Sequence, residues 1–288
     1  MSALWIVGDV HGAHDKLRAL LMQAGLTDRN GYWTGGDAHL VFLGDYFDRG
    51  PDGIGVVRLI QKLEEEAPRS GGQVSALIGN HEVMFLAASR FRRVDPTDRL
   101  GFYGYWAGNG GRSSDMQRLE GADITWLSQR PALMRVGHWL LTHADSLFYL
   151  HLGRSMADIN ARVRGLLTST DAGDWGSFAN TFVDRLNFAG ADGEQAALKM
   201  LRALGGECIV HGHTPIQLLV AENEQGIDAE PVAPIRYAAG RALAVDSGMA
   251  YFGDAGFITR LGESEVEQVA TLPAGLFATP EPVGLERD

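Results

Sequence analysis

Five short apolar runs in this chain each break off into a side chain that can bind a cation or carry a proton. Residues 4–8 lead into Asp9 and His11, and residues 39–44 into Asp45. Residues 73–78 lead into Gly79-Asn80-His81-Glu82, residues 138–142 into His143, and residues 207–211 into Gly212-His213. A run of that length bounded by turn residues reads as a buried strand. The polar group after it then sits at a strand end. In an α/β sheet the strand ends along one edge form the ligand crevice. A chain with five such ends is therefore limited to folds that gather them at one place. Asp9 and His11 are two residues apart, so they share one side of an extended backbone.

The segments between these ends set the fold class. Apolar residues at helical spacing predict helices over 13–24, 53–66, 155–168 and 193–204, and another from about residue 82. Residues 132–136 and 138–142 read as a hairpin. Residues 216–221, 235–237, 242–246 and 266–271 read as further strands, some of them antiparallel. Gly- and Asp-rich residues 171–192 read as irregular, and residues 89–115, rich in Arg, Gly and aromatics, as a cap beside the core. Strand and helix alternate through the first 80 residues or so, which argues for a layered α/β architecture. We expect one domain over residues 1–273, with cap elements at about 89–130 and 150–200, and a loose tail over 274–288.

Charge excludes some functions. Formal net charge is -11 over 288 residues, with no basic stripe. Phosphate backbones are neutralised by Lys and Arg, so a nucleic-acid partner, and with it a nuclease, is not expected. The first apolar run is too short to span a membrane and reads as a strand rather than a signal peptide. The expectation is a soluble, cytoplasmic protein without a membrane partner. One cysteine, Cys208, excludes an internal disulfide and a multi-Cys metal site. It reads as a buried core thiol.

The strand-end residues form a donor set: the carboxylates of Asp9 and Asp45, the imidazoles of His11, His143 and His213, and the amide oxygen of Asn80. Mixed oxygen and nitrogen donors without thiolate suit Mn²⁺, Fe or Zn²⁺. Six protein ligands are too many for one catalytic ion that keeps an open position. Two ions sharing one carboxylate fit the count.

Together the motifs GDVHG (8–12), GDYFDRG (44–50), GNHE (79–82), THAD (142–145) and HGHTP (211–215) resemble those of the calcineurin-like metallophosphoesterases. The Asp-Arg-Gly ending of the second motif resembles the phosphoprotein phosphatase branch, and residues 24–36 resemble its Shewanella-like group. That resemblance implies a layered sandwich of mixed β-sheets flanked by helices, with a helical cap insertion. It implies two divalent ions, of which Mn²⁺ is the expected species and Fe or Zn²⁺ the alternatives. Asp9 and His11 would hold the first ion, Asp45 would bridge, and Asn80, His143 and His213 would hold the second. His81, oriented by Asp48, would be the proton donor to the leaving oxygen. Arg49 would grip the phosphoryl group. The nucleophile would be a metal-bridging hydroxide attacking in line.

Several residues remain to be placed. A second phosphate-binding arginine is expected from Arg162, Arg164 or Arg185, with Arg185 preferred because Phe182-Val183-Asp184-Arg185 comes nearest to the family's setting. His213, followed by Thr, is preferred over His211 as the ligand. His14 reads as part of a solvated helix face, and Asp246 as a structural support. Asp145 stands where relatives more often carry a small residue. Tyr103, Tyr105 and Trp106 read as packing inside the cap, with a substrate wall as the competing role. The resulting expectation is a metal-dependent phosphomonoesterase acting on a phosphorylated protein. Its alternative is a hydrolase of small phosphate esters or dinucleoside polyphosphates. A non-catalytic binding protein is disfavoured by the intact donor set.

Overall fold

In the computed structural model the described residues are 3–222, 233–262, 266–272 and 277. Most of the segment expected as a loose tail therefore lies outside the described residues. In chain order the elements begin with β1 (Leu4–Val7), α1 (His14–Gln23), β2 (His39–Phe42), α2 (Gly53–Glu66), β3 (Gln73–Ala76) and α3 (Asn80–Arg92). The short helices α4 (Phe102–Gly108), α5 (Ser113–Arg118) and α6 (Gly121–Ser128) follow. Then come β4 (Leu133–Val136), β5 (Trp139–Thr142), α7 (Tyr149–Leu152), α8 (Met156–Thr168), α9 (Ala172–Phe182) and α10 (Gly193–Leu204). The chain continues through β6 (Cys208–His211), α11 (Ile216–Glu222), β7 (Ile235–Tyr237), β8 (Ala242–Ala244), β9 (Phe257–Leu261) and β10 (Val266–Thr271).

Two mixed five-stranded sheets result, in the orders β10-β9-β1-β2-β3 and β4-β5-β6-β8-β7. In the first, β1, β2 and β3 are parallel, and β9 joins β1 antiparallel. In the second, β5, β6 and β8 are parallel. The sheets face one another. Leu4, Ile6, Val41 and Leu43 of the first sheet share a core with Trp139, Leu141, Cys208 and Val210 of the second. The alternate residues Val7, Leu40, Phe42, Leu140 and Ile209 belong to the larger core that includes the helices. Burial on both faces is why these strands read as continuous apolar runs. Cys208 lies in the inter-sheet core, as expected.

The structure corrects three readings. Residues 216–221 are helical, as part of α11, not a strand. Pro215 stands just before the first turn, and its carbonyl accepts from Leu218 N and Leu219 N. A six-residue apolar run carries no periodicity to separate helix from strand. Part of 171–192 is α9, whose start is capped by the Asp171 side chain on Asp174 N. Its buried face, Trp175, Phe178, Ala179 and Phe182, outweighs its glycines. β9 is a strand that the sequence pattern does not predict. Among the described residues no helix is long and apolar enough to cross a membrane.

Candidate dinuclear metal centre

The parallel strands deliver their C-terminal ends to one edge, and the loops beyond them are tied together there. Val10 N and His11 N donate to Asp45 O at 3.1 and 2.8 Å, Gly12 N donates to Tyr46 O, and Gly50 N donates to His11 O. Two glycines are required by close approach: a Cβ on Gly212 would collide with Asp9 Oδ1, and one on Gly79 with Asp45 Oδ1. Backbone strain concentrates at the same place. His11, Asp45, Asp48, Arg49 and His213 all have φ between 46° and 72°. Non-glycine residues adopt that left-handed region at a cost, which surrounding bonds must offset.

The candidate residues converge. Asp9, His11, Asp45, Asp48, Asn80, His81, His143 and His213 are each at most 5% exposed. Ligand-capable atoms of His11, Asp45 and His81 lie within 4.8 Å of one another, and so do those of Asp45, His143 and His213. Asp45 is common to both groups. Asp9 accepts from His213 N with both oxygens, at 2.9 and 3.0 Å, and Asp9 Oδ2 stands 3.9 Å from His11 Nε2.

Three imidazoles carry the test of whether cations fit. His143 Nδ1 is 3.1 Å from Leu43 O, His11 Nδ1 is 2.9 Å from Phe47 O, and His213 Nε2 is 3.2 Å from Val183 O. A carbonyl only accepts, so each of these nitrogens carries the proton and the other ring nitrogen is bare. The bare His143 Nε2 faces Asp45 Oδ1 at 3.3 Å and Asn80 Oδ1 at 3.0 Å. The bare His213 Nδ1 faces Asn80 Oδ1 at 3.0 Å. The bare His11 Nε2 faces Asp45 Oδ2 at 3.5 Å and touches the Arg49 guanidinium. At His143 and His213 lone pairs thus oppose lone pairs, whereas at His11 the Arg49 guanidinium donates to Nε2. Protonation would relieve them, but burial pushes His143 down to about 3 and holds His11 and His213 well below the usual imidazole range. A divalent cation satisfies the arrangement, since backbone-anchored imidazoles are the usual form of metal-ligating histidine.

A sequence model of the calcineurin-like phosphoesterase family matches residues 3–217. The chain belongs to that family. Shewanella-like protein phosphatase 2 of Arabidopsis thaliana is 41% identical over 78 residues, covering 27% of this chain and 20% of that protein. The symmetrical bis(5'-nucleosyl)-tetraphosphatase of Salmonella paratyphi C is 35% identical over 136 residues, covering 46% and 38%. The chain thus spans from a fifth to under two-fifths of the length of these relatives. Among solved structures, the cold-active protein-tyrosine phosphatase of a psychrophilic Shewanella species superposes with a TM-score of 0.69. That match covers 95% of this chain and 81% of that one at 22% identity, and is a likeness of fold.

Around this calcineurin-like centre the remaining candidates separate. His81 Nδ1 lies 2.6 Å from Asp48 Oδ2, and Asp48 Oδ1 accepts from Trp106 Nε1 at 2.7 Å. The Arg49 guanidinium lies against the His11 ring, 3.1 Å from Nδ1 and in contact with Nε2, and 5.0 Å from the Tyr251 ring centroid. Arg185 is half-buried, and its charge helps depress His213 and His143. Arg162 and Arg164 are exposed on α8. His211 donates from Nδ1 to Gly212 O at 2.9 Å and accepts at Nε2 from Tyr237 OH at 2.8 Å, so both its nitrogens are used away from the carboxylates. His14 pairs with Asp15 at 3.3 Å. Asp145 accepts from Thr214 Oγ1 at 2.5 Å and Leu186 N at 3.0 Å, clamping the segment that carries Arg185. Asp246 accepts from Gly248 N and is buried near Asp9, whose carboxyl its charge helps raise. Of the cap aromatics, Trp106 is buried and Tyr105 exposed.

Glu82 has a role that its sequence motif does not assign. Its carboxylate accepts from Tyr46 N at 2.7 Å, Asp45 N at 2.8 Å and Gly79 N at 2.9 Å. It therefore locks the second motif to the third. Its position three residues after the Gly79 cap was the available signal, since an acidic residue there closes a capping box. Glu82→Ala would orphan three buried donors, at ~1–3 kcal/mol each. The expected loss is about 3 kcal/mol or more, read by denaturant unfolding at constant m.

Without cations the centre carries too little positive charge. Burial pushes Asp45 and Asp246 up to about 6 and, with the Asp45 charge, Glu82 up to about 8. Asp9 and Asp48 are also held well above the carboxylate range, chiefly by burial. Such carboxyls stabilise the fold while protonated and lose that contribution as pH rises through the folded value. The depressed histidines act oppositely, but their contribution is complete above the unfolded imidazole value of 6.5. Between pH 6.5 and about 8.5, the metal-free protein should therefore lose thermal stability. The gain in Tm on adding Mn²⁺ should grow over the same window. Scanning fluorimetry in chelator and in Mn²⁺ reads both; a gain that shrinks with pH would contradict this charge balance.

Proposed function

We propose that the chain is a dinuclear-metal phosphoric monoester hydrolase, with a phosphorylated protein as substrate and Mn²⁺ as the working ion. The observation that carries this reading is the pair of imidazoles, His143 and His213, whose bare nitrogens meet Asp45 and Asn80 oxygens without a proton between them. Asp9 and His11 would hold one ion, Asn80, His143 and His213 the other, with Asp45 between. When bound, the ions supply Lewis acidity to the ester and lower the pKa of water at the site.

The chain's own groups account for the rest. The Asp48 carboxylate accepts the Nδ1–H of His81, which leaves Nε2 to carry the proton handed to the leaving oxygen as the P–O bond breaks. An alkoxide is a poor leaving group, so this donation matters most for phosphoserine-type esters. Burial and then the Arg49 charge hold His81 below the usual imidazole range, which makes its protonated form a stronger acid. Arg49, beside His11, presents a fork that matches phosphoryl oxygens, with Arg185 as a second cation. One cysteine and no disulfide suit the proposed cytoplasmic location.

The likeness to a bis(5'-nucleosyl)-tetraphosphatase supports a second substrate class, dinucleoside polyphosphates. Purified protein with Mn²⁺ should hydrolyse p-nitrophenyl phosphate and lose that activity in chelator. Rates on a phosphopeptide panel and on diadenosine tetraphosphate then decide between the classes. Activity that survives complete metal removal would overturn the reading.

A further inference from the structure

Asp48 has two carboxylate oxygens, and both are committed. One takes His81; the other takes the indole N–H of Trp106, from the cap helix α4. Asp48 and Trp106 are both at most 1% exposed. The Trp106 ring packs on Phe85 at 5.6 Å between centroids, and Phe85 belongs to α3, the helix that carries Asn80 and His81. The same cap segment reaches Arg49: Gly110 O accepts from Arg49 N at 2.8 Å, and Arg112 Nε donates to Arg49 O at 3.0 Å.

From this geometry, and resting on the hydrolase reading above, we infer that Trp106 is a positioning residue for leaving-group protonation, acting through Asp48 on His81. A buried carboxylate with one oxygen unpaired is poorly held and poorly solvated. The indole donor removes that freedom, and it fixes the rotamer that aims His81 Nε2 toward the reacting centre. Sharing one segment with Arg49 also makes the proton donor and the phosphoryl grip depend on the same docked cap.

The role predicts a selective defect. Protonation of the leaving oxygen limits the hydrolysis of phenyl phosphate more than that of p-nitrophenyl phosphate, whose leaving group needs little help. Trp106→Phe keeps an aromatic ring and removes the N–H. With Mn²⁺ present, its kcat on phenyl phosphate should fall about ten-fold further than its kcat on p-nitrophenyl phosphate. KM for both esters and the Mn²⁺ content should stay at wild-type values. Equal losses on both esters, or none, would overturn the inference and leave Trp106 as packing. Should Trp106→Phe fail to fold, Asp48→Asn must show the same ten-fold selectivity, because the effect runs through Asp48; equal losses there overturn it as well. Wild-type protein inactive on both esters would instead sink the hydrolase reading, and this inference with it.

Discussion

Replacing Asp45 with Asn should abolish the shared site and cut turnover by about a thousand-fold or more, the scale expected when charge stabilisation by metal is lost. Each Asp45 oxygen faces a different imidazole, His143 Nε2 at 3.3 Å and His11 Nε2 at 3.5 Å. Asn keeps the shape but turns one acceptor into a donor and removes the charge between the two groups. Metal content measured on the purified variant should drop below that of the wild type. Folded stability should move the other way. Asp45 is a buried carboxyl pushed up to about 6 by desolvation, so the metal-free variant at pH 8 loses an uncompensated charge. Its Tm in chelator should exceed that of the metal-free wild type. A variant that binds metal as the wild type does would remove Asp45 from the bridging role.

His81→Ala should give the complementary result. Turnover of a phosphoserine peptide should fall by ~10²–10⁴-fold, the usual contribution of a placed general acid. Metal content should be retained. The distinction rests on what holds each ring. His11, His143 and His213 are anchored by backbone carbonyls, whereas His81 is anchored by a carboxylate at 2.6 Å. That pairing suits a group that must carry a proton, as in triads where a carboxylate orients and stabilises an imidazolium. His81 Nε2 lies 4.0 Å from Asp45 Oδ2, close enough to serve as a ligand in its place. Loss of metal in His81→Ala would therefore reassign it to the centre's donor set.

Much of this centre is legible without coordinates because its residues follow strand ends. A strand end puts Asp9, Asp45 and Asn80 at the edge of one sheet and His143 and His213 at the edge of the other, and an apolar run announces each strand. The elements misread are those whose identity depends on distant partners. α11 looks like a strand until Pro215 and the Asp246 carbonyl, which accepts from Ile216 N, set its first turn. α9 looks irregular until its aromatic face finds a core to enter. β9 gains its place by pairing with β1 across more than 250 residues of chain, a contact that no local pattern encodes.

The sequence by itself determined the donor types, their order and the family they resemble, because those depend on residue identity next to each strand end. Tertiary structure alone decided how each donor is presented. Carbonyls of Leu43, Phe47 and Val183 select the bare nitrogen of three histidines, Glu82 ties Asp45 to Gly79, and Trp106 takes the second oxygen of Asp48. Apart from the local Glu82–Gly79 bond, these hydrogen bonds join residues 30 to 100 positions apart. Their geometry exists only once both sheets, the helices and the cap have closed on the same edge.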